Sequence, residues 1–319
     1  MKPVSRVSLG IFPTPLQEIS AERAGCGVPV RLFFKRDDLC GIGFGGNKIR
    51  KLEYLLADAL ERGCDSIVTG GGSQSNQTVA AAVSAAKLGL AAHLVIPEST
   101  GPVTRNMANL AGAFLHEAEN GQTNVLMKQI RAVAAGLKQE GHQPYIIPPG
   151  ASTPLGALAY AEAMREMYGQ AAERGIVFDH VICCGATGNT YAGVALGTKL
   201  YSPRTKSTVI AIGRRFTHKE TLLKQIRETE TLMGSDSHIS IEDLNVHFAG
   251  GKGASEPSGK GRAAMESLAS SHGILLDPYF TGKAFAGLLE LCRTGEIQPG
   301  QNVAFLHTGG MVSLLGQMK

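Results

Sequence analysis

The chain is predicted to be an α/β protein with two lobes, each built on a parallel or mostly parallel sheet that helices flank. Short apolar runs rich in β-branched residues alternate with longer helical patterns from residue 30 almost to the end, which is typical of βαβ units. This pattern yields ten strands, more than one compact lobe of this size holds. With 43% apolar and 18% charged residues, the 319-residue chain has the composition of a globular enzyme with a large core.

The elements follow from the periodicity of the apolar residues. The predicted strands, in chain order, are 30–35, 66–69, 92–96, 114–118, 144–147, 180–184, 208–212, 246–249, 274–276 and 303–307. The predicted helices are 48–61, 77–87, 123–139, 154–170, 191–200, 219–233, 261–271 and 282–293, and their lengths suit crossover connections between parallel strands. The glycine-rich segment 250–261 is predicted to be a mobile loop, either a plain surface connector or an active-site flap.

Charge and cysteine content narrow the classes of partner. Lys and Arg exceed Asp and Glu by 31 to 27 without forming basic runs, so we expect a small anionic ligand and no nucleic acid. No apolar run reaches the roughly 18 residues that would span a bilayer, and no signal-peptide core is present, so we predict a cytoplasmic protein without membrane contact. The six cysteines lack CxxC spacing and are predicted to be free thiols, and no metal site is predicted.

Lys48 is the candidate for covalent catalysis. It follows a glycine-rich turn at the start of an amphipathic helical pattern, where the helix dipole disfavours a cation. A lysine shielded from water near other cations, here Arg50 and Lys51, can form a Schiff base with an aldehyde cofactor. Pyridoxal phosphate is therefore the predicted cofactor, with a plain surface lysine as the structural alternative.

The glycines before Lys48 also match the GxGxxG pattern of dinucleotide-binding folds. That pattern requires glycines directly after a first strand and an acidic residue about 20 positions later at the end of a second strand, and this sequence meets neither condition. A nucleotide-binding dehydrogenase is therefore the weaker alternative.

The segment 69–78 places Ser75, Asn76 and Gln77 between a predicted strand and an Ala-rich helix. Backbone N–H groups at a helix N-terminus bind anions, so these residues are predicted to bind a substrate carboxylate and the phenolic oxygen of the cofactor. A simple helix cap by Ser75 or Asn76 is the alternative.

A run of small residues, several of them hydroxylated, follows the predicted strand 180–184. Its members are Ala186, Thr187, Gly188, Asn189 and Thr190. Such a run can enclose a phosphate with backbone N–H groups and side chains, and a tight turn is the alternative. Near the C-terminus, Thr308 follows the last strong strand and is predicted to meet the pyridine nitrogen.

Taken together, the sequence resembles the 1-aminocyclopropane-1-carboxylate deaminase and D-cysteine desulfhydrase family of pyridoxal-phosphate enzymes, which have the tryptophan-synthase-β-like fold (fold type II). The matching motifs span nearly the whole chain and lie at 35–38, 45–53, 74–76, 276–283 and 307–310. The resemblance implies that Lys48 forms the Schiff base and is the base at the substrate Cα. It further implies that Asn76 contacts the cofactor O3′, and that Ser75 and Gln77 contact the substrate carboxylate.

The resemblance also assigns the two ends of the cofactor. Lys51 and the loop 186–190 would hold the phosphate, and the Thr308 hydroxyl would meet the pyridine nitrogen. Thr281 stands where the deaminases have a glutamate. Because a neutral hydroxyl does not favour a pyridinium ion, elimination is expected. The family further implies a homodimer.

Two tyrosines of the family pattern are missing. Phe280 occupies the first position and Tyr279 lies one residue earlier, a shift that would turn the side chain to the opposite face of a strand. The second falls within 250–257, where the chain has Lys252 and no tyrosine. Tyr279 is predicted to contact substrate, and Lys252, Tyr191 and Tyr279 are the candidate proton donors.

We therefore predict a pyridoxal-phosphate-dependent lyase or deaminase that converts a small amino acid by α,β-elimination to a 2-oxo acid and ammonia, with Lys48 and Ser75 as catalytic residues. The predicted large domain comprises 1–49 and 160–319, the small domain comprises 50–159, and the cofactor lies in the cleft between them. The alternatives are a 1-aminocyclopropane-1-carboxylate deaminase, an L-cysteate sulfo-lyase, a β-replacing synthase, a racemase or dehydratase, and a cofactor-binding protein without turnover.

Overall fold

The computed structural model describes residues 4–213, 218–249 and 256–316. Its strands are β1 (Leu16–Ile19), β2 (Arg31–Arg36), β3 (Ser66–Gly70), β4 (Ala91–Pro97), β5 (Phe114–Ala118), β6 (Pro144–Ile147), β7 (His180–Gly185), β8 (Lys206–Ala211), β9 (Asn245–Phe248) and β10 (Asn302–His307). They form a six-stranded sheet in the order β1-β2-β10-β7-β8-β9 and a four-stranded sheet in the order β5-β4-β3-β6. All pairings are parallel except that of β1 with β2. The predicted α/β class with mostly parallel sheets is confirmed.

The helices of the described residues cover the faces of these sheets. They are α1 (Asn47–Glu61), α2 (Asn76–Lys87), α3 (Pro102–Leu110), α4 (Thr123–Gln139), α5 (Pro154–Glu173), α6 (Asn189–Tyr201), α7 (Lys219–Met233), α8 (Gly259–His272), α9 (Thr281–Arg293) and α10 (Met311–Leu315). Proline in the first turn favours α3 and α5, since its missing N–H has no helical partner there. The side chains of Ser75, Thr153 and Ser258 cap α2, α5 and α8. None of these helices is long and apolar enough to cross a membrane.

Strand β7 shows why the central strands consist of continuous apolar runs. All six of its residues are buried. Val181 and Cys183 pack into the cluster beneath α5 and α6, whereas Ile182 and Cys184 pack into the cluster beneath α8 and α9. A strand that is covered on both faces needs apolar residues at every position. The buried strands β7 and β10 therefore hold the loops that follow them in defined positions.

Some elements differ from the sequence prediction. The predicted strand 274–276 does not form: β10 already pairs with β2 and β7, and Ile274 and Leu276 are held by side-chain packing instead. Strand β1 and helices α3 and α10 were not predicted. The first half of the predicted loop 250–261, including Lys252, lies outside the described residues, and its last residues, from Gly259, belong to α8.

The predicted domain boundaries remain a prediction. The strands of the four-stranded sheet all fall within 50–159, but the boundaries at 49/50 and 159/160 lie inside α1 and α5 rather than in loops.

Candidate active site

A cavity of about 1080 Å³ opens where strands of both sheets end. The loops that follow β3, β7 and β10 contribute its walls, together with the first residues of α1 and the start of α4. Ligand sites in α/β proteins lie outside the carboxyl ends of parallel strands, and this cavity has that position.

Lys48 reaches the cavity because the glycine turn before α1 packs closely against the end of β10. A Cβ on Gly46, whose φ is +100°, would lie 2.8 Å from the Thr308 carbonyl oxygen. The Asn47 N–H donates to that same oxygen at 3.0 Å. Only glycine permits this approach, and it fixes the first turn of α1, with Lys48, beside Thr308.

Buried ion pairs hold the outer face of this helix start. Arg50 donates to both carboxylate oxygens of Asp37, at 2.9 and 2.8 Å, and to Glu166. Tyr160 donates to Asp37 at 2.6 Å. Burial alone would raise the pKa of Asp37, but the Arg50 guanidinium outweighs it and holds that pKa below its usual value. The sequence motif 35–38 is therefore a structural support for the Lys48 turn.

The two lysines of α1 share one carbonyl group. Lys48 Nζ lies 3.4 Å and Lys51 Nζ 3.3 Å from the Gly150 oxygen. Burial lowers the pKa of Lys48 to about 8. Burial, and then the charge of Lys48, lower the pKa of Lys51 well below its usual value. Lys48 is thus partly neutral near pH 7, as a nucleophile and base must be.

The N-terminus of α2 faces the cavity with Ser75 and Asn76, but not with the side chain of Gln77. Ser75 Oγ accepts from the Gln77 N–H at 3.3 Å, and a Cβ on Gly71 would lie 2.2 Å from that oxygen. The Gln77 side chain is buried and donates to Thr69 at 2.8 Å and to the Pro148 carbonyl. The predicted contact of the Gln77 side chain with a substrate carboxylate is therefore not formed from this position.

Ser313 on α10 fixes the amide of Asn76, a contact that sequence reasoning missed. Its hydroxyl lies 3.1 Å from the Gln74 carbonyl oxygen and 3.2 Å from Asn76 Oδ1. With Oδ1 directed to Ser313, the Nδ2 of Asn76 is the atom suited to donate to an oxygen in the cavity.

The loop between β7 and α6 forms another part of the cavity wall. Ala186, Thr187, Gly188 and Thr190 line it. Gly188 adopts a left-handed conformation, with φ of +81°, directly before α6. A helix N-terminus flanked by two hydroxyls is a donor set suited to a phosphate.

Asn189 and Lys51 do not line the cavity. Lys51 Nζ donates to Asn189 Oδ1 at 2.7 Å, and Asn189 Nδ2 donates to the Thr153 carbonyl and to Gln225. Their side chains are therefore satisfied behind the loop, which leaves the backbone N–H of Asn189 for an anion.

Thr308 lines the cavity at the end of β10, whereas Thr281 does not. The Thr281 hydroxyl donates to Asp277 at 2.7 Å and accepts from the Asp277 N–H. The Asp277 carboxylate also accepts from the backbone N–H groups of 279, 280 and 281. Burial raises the pKa of Asp277. Asp277 thus shapes the turn that presents Phe280 to the cavity.

None of the predicted proton donors lines the described part of the cavity wall. Tyr279 is buried, and Phe280 faces the cavity instead. The Tyr191 hydroxyl donates to the Ser207 carbonyl and accepts from the Asn245 N–H, inside the core. Lys252 lies outside the described residues.

Three titratable side chains line the cavity among the described residues: Lys48, Cys184 and Asp277. Burial raises the pKa of the Cys184 thiol well above its usual value. Cys184 therefore remains a thiol near neutral pH.

Two segments of the wall carried no recognised sequence motif. The turn 149–152 supplies the carbonyl shared by Lys48 and Lys51, and Gly150, with φ of +76°, would place a Cβ 2.7 Å from Thr187 Cγ2. The segment 121–127 adds Gln122, Asn124 and Met127 from the start of α4. A Pro-Pro-Gly sequence signals a turn but not its partner, so proximity to Lys48 was not predictable.

The sequence profile of the family described as pyridoxal-phosphate dependent enzymes matches residues 7–309. The chain belongs to this family. A protein of Pyrococcus abyssi that is provisionally named 1-aminocyclopropane-1-carboxylate deaminase is 36% identical over 310 residues, which cover 96% of this chain and 92% of that protein. A protein of Pyrococcus horikoshii with the same name is 37% identical over 316 residues, with the same coverage.

A solved structure supports the same assignment. The crystal structure of an ACC deaminase homologue has 34% sequence identity and a TM-score of 0.88, covering 97% of this chain and 93% of its own. The predicted family resemblance, the fold type and pyridoxal phosphate as the cofactor are thereby confirmed.

The residues of the enzyme fit this cofactor. A lysine of lowered pKa and a helix N-terminus with hydroxyls border one cavity. The close contacts of Gly46, Gly71 and Gly150 hold segments of the wall against Thr308, Ser75 and Thr187. Amine and phosphate-binding groups of this kind are what an aldehyde phosphate requires.

Proposed function

We propose that the enzyme is an amino-acid lyase or deaminase that carries out α,β-elimination on a small amino acid, releasing a 2-oxo acid and ammonia, in the manner of a D-cysteine desulfhydrase. The observation that carries the proposal is Lys48, whose pKa is about 8 and which lines one cavity together with the N-terminus of α2. Such an amine is suited to remove a proton from a substrate whose carboxylate is held by α2.

In this mechanism, Lys48 would hold the cofactor aldehyde and Asn76 Nδ2 would donate to O3′. The loop 186–190 would hold the phosphate, and Thr308 would meet the pyridine nitrogen. When bound, pyridoxal phosphate supplies the electron sink for the charge that develops at the substrate Cα. Ser75 and the N–H groups at the start of α2 hold the substrate carboxylate. Lys51 acts from behind the loop, through Asn189, rather than by touching the phosphate.

Lys48, freed when the substrate amine takes its place on the aldehyde, would take the Cα proton. With a pKa of about 8, roughly a tenth of this amine is neutral at pH 7, against less than about a thousandth for an ordinary lysine. Among the described residues of the cavity wall, the ammonium form of Lys48 is also the strongest available acid, because Cys184 has a raised pKa and the Asp277 carboxylate accepts four hydrogen bonds. Lys48 therefore delivers the proton that a departing group needs.

A 1-aminocyclopropane-1-carboxylate deaminase is the second candidate, and the names of the archaeal relatives favour it. Phe280 in the cavity wall argues against it. Ring opening must protonate a departing carbon, and this side chain adds no proton donor to Lys48 for that step. We propose the elimination enzyme as the first candidate and ring opening as the alternative.

The test is release of 2-oxo acid and ammonia from a panel of D- and L-cysteine, cysteate, serine, 2,3-diaminopropionate and 1-aminocyclopropane-1-carboxylate. Matched assays use the wild type and Lys48→Ala. Turnover of a β-substituted amino acid that Lys48→Ala abolishes supports elimination. Turnover of the cyclopropane substrate alone establishes the alternative, and loss of an amino-acid substituent without 2-oxo acid contradicts both.

We also propose a cytoplasmic homodimer with the domain division given above. The family resemblance supports the dimer, and six free cysteines, five buried and Cys64 half-buried, suit a reducing compartment. The mass in solution, measured by light scattering at several concentrations, tests the dimer; a monomer at all of them contradicts it.

A further inference from the structure

The hydroxyls of Thr187 and Thr190 are the two side-chain donors of the proposed phosphate loop. Both residues line the cavity and flank Gly188 at the start of α6. A hydroxyl group has one proton to donate but can also accept, so its proton direction depends on what donates to it.

Each hydroxyl accepts a hydrogen bond from a residue outside the loop. Asn47 Nδ2 donates to Thr190 Oγ1 at 3.1 Å, and Ser152 Oγ donates to Thr187 Oγ1 at 2.9 Å. An amide NH₂ group cannot accept, so the Thr190 proton cannot return to Asn47. Both threonine hydroxyl protons are therefore available to an acceptor in the cavity, which both residues line.

The two outside donors are themselves fixed. Asn47 is the first residue of α1, next to Lys48, and its backbone N–H is bound to the Thr308 carbonyl. Ser152 follows the turn of Gly150, where a Cβ would lie 2.8 Å from Thr187 Oγ1 and 3.0 Å from Ser152 Oγ. The segments that adjoin Lys48 therefore also contact the hydroxyls of the phosphate loop.

We propose that Asn47 and Ser152 are positioning residues for the cofactor phosphate: they orient the Thr190 and Thr187 hydroxyls so that both donate to it. The proposal rests on the proposed placement of the phosphate at 186–190. Hydrogen bonds to charged groups contribute more than neutral ones, so correct orientation matters most with the phosphate dianion bound.

The experiment compares two aldehydes on the apoprotein. Pyridoxal phosphate and pyridoxal make the same bond to Lys48, and only the first carries the phosphate, so the ratio of their dissociation constants isolates the phosphate contacts. Both constants are measured by absorbance titration, without turnover. Ser152→Ala and Asn47→Ala are each expected to raise the dissociation constant of pyridoxal phosphate by about three- to tenfold. The dissociation constant of pyridoxal is expected to stay unchanged.

Double-mutant cycles show whether each residue acts through its threonine. In a Thr187→Val background, Ser152→Ala is expected to have no further effect on the ratio, and in Thr190→Val the same holds for Asn47→Ala. Ser152→Thr, which keeps the hydroxyl, is expected to retain most of the wild-type ratio of the two dissociation constants. Ser202→Ala is the matched control, since Ser202 pairs with the Thr205 hydroxyl at 2.8 Å in the same lobe but outside the cavity.

The outcomes distinguish the phosphate site from the positioning roles of Asn47 and Ser152. A wild-type protein that binds both aldehydes equally well refutes the phosphate site itself. The positioning roles are overturned if the wild type prefers pyridoxal phosphate but the variants bind both aldehydes more weakly by the same factor. They are also overturned if the effects of the substitutions add in the cycles. Either result leaves the phosphate site itself intact. Thermal unfolding of each apoprotein variant identifies any that fail to fold, and Ser152 and Asn47 supply independent tests.

Discussion

Lys48→Met is predicted to stabilise the protein in its cofactor-free form. Below pH ~8 the wild type carries a charged ammonium group in an enclosed cavity, and the substitution removes that charge while keeping a side chain of similar length. An active site that must hold a reactive amine in this way loses stability in exchange for function.

The magnitude follows from the pKa of Lys48. It falls from 10.5 to about 8 on folding, and each unit corresponds to about 1.4 kcal/mol, so burial of the charge costs up to about 3 kcal/mol. Below pH ~8 both states are protonated and the cost is complete. Between pH ~8 and ~10.5 the unfolded state binds the extra proton, so the stability of the wild type rises with pH in this window and the cost disappears above it.

The assay is reversible unfolding of apoproteins at pH ~7 and ~9.5. The advantage of Lys48→Met is expected to fall from about 3 kcal/mol at the lower pH to about 1.4 at the higher. At about 2.1 cal/mol/K per residue, the 319 residues have an unfolding entropy of about 0.7 kcal/mol/K, so the first value corresponds to roughly 4 °C. Lys128→Met, at an exposed position of α4, controls for loss of a charge. A variant no more stable than the wild type, or an advantage that does not change with pH, would refute the lowered pKa.

Three further predictions concern the support of Lys48, the turn beside it and the cavity wall. Asp37→Ala removes the main partner of the buried Arg50 guanidinium, which then keeps only Glu166 as a carboxylate partner, and is expected to cost about 3–5 kcal/mol in unfolding free energy. Arg62→Ala, which breaks an exposed bidentate pair with Asp58 at the end of the same helix, is expected to cost at most about 1 kcal/mol; equal losses would contradict the role given to the buried pair. Gly150→Ala forces an alanine to φ +76° against Thr187 and is expected to lower the unfolding free energy by about 1–3 kcal/mol. It is also expected to weaken the binding of pyridoxal phosphate in an absorbance titration, and an unchanged affinity would contradict this. Phe280→Tyr adds a proton donor to the cavity wall. In steady-state kinetics, the rate of serine turnover relative to D-cysteine turnover is expected to rise by about tenfold or more, because a hydroxide leaving group needs a proton more than a thiolate does. An unchanged ratio would show that the cavity does not lack a donor at this position.

The sequence predicted the central strands well because they are covered on both faces. β7 and β10 are continuous apolar runs flanked by turn residues, which sequence patterns detect. Edge and terminal elements carry weaker signals. The four residues of β1 form an antiparallel edge strand, and α10 has only five residues, too few for a visible period. The segment 274–276 is apolar, but a strand also needs a free neighbour, which a sequence does not specify.

The candidate site was predictable where chemistry and a turn coincide in one short motif. Lys48, Ser75, Asn76, Thr187 and Thr308 all line one cavity, and their binding roles stay predictions. Side-chain direction was not predictable. Within α2 a residue turns by about 100° per position, so Gln77 faces the interior although its neighbour faces the cavity.

Contacts between distant segments were also hidden from the sequence. Ser313 bonds Asn76 across 237 positions, and Ser152 bonds Thr187 across 35. No local pattern encodes such pairs, because they depend on how the segments pack in the folded chain.

The central claim, that Lys48 carries the cofactor, is tested most directly by borohydride reduction of the purified enzyme followed by peptide mass mapping. Reduction converts the link between lysine and pyridoxal phosphate into a stable amine that survives proteolysis. We predict a single labelled peptide, modified at Lys48, and no label at that position in Lys48→Ala. A label on Lys51 or on another lysine of the wild type, or none in the presence of added pyridoxal phosphate, would contradict the account.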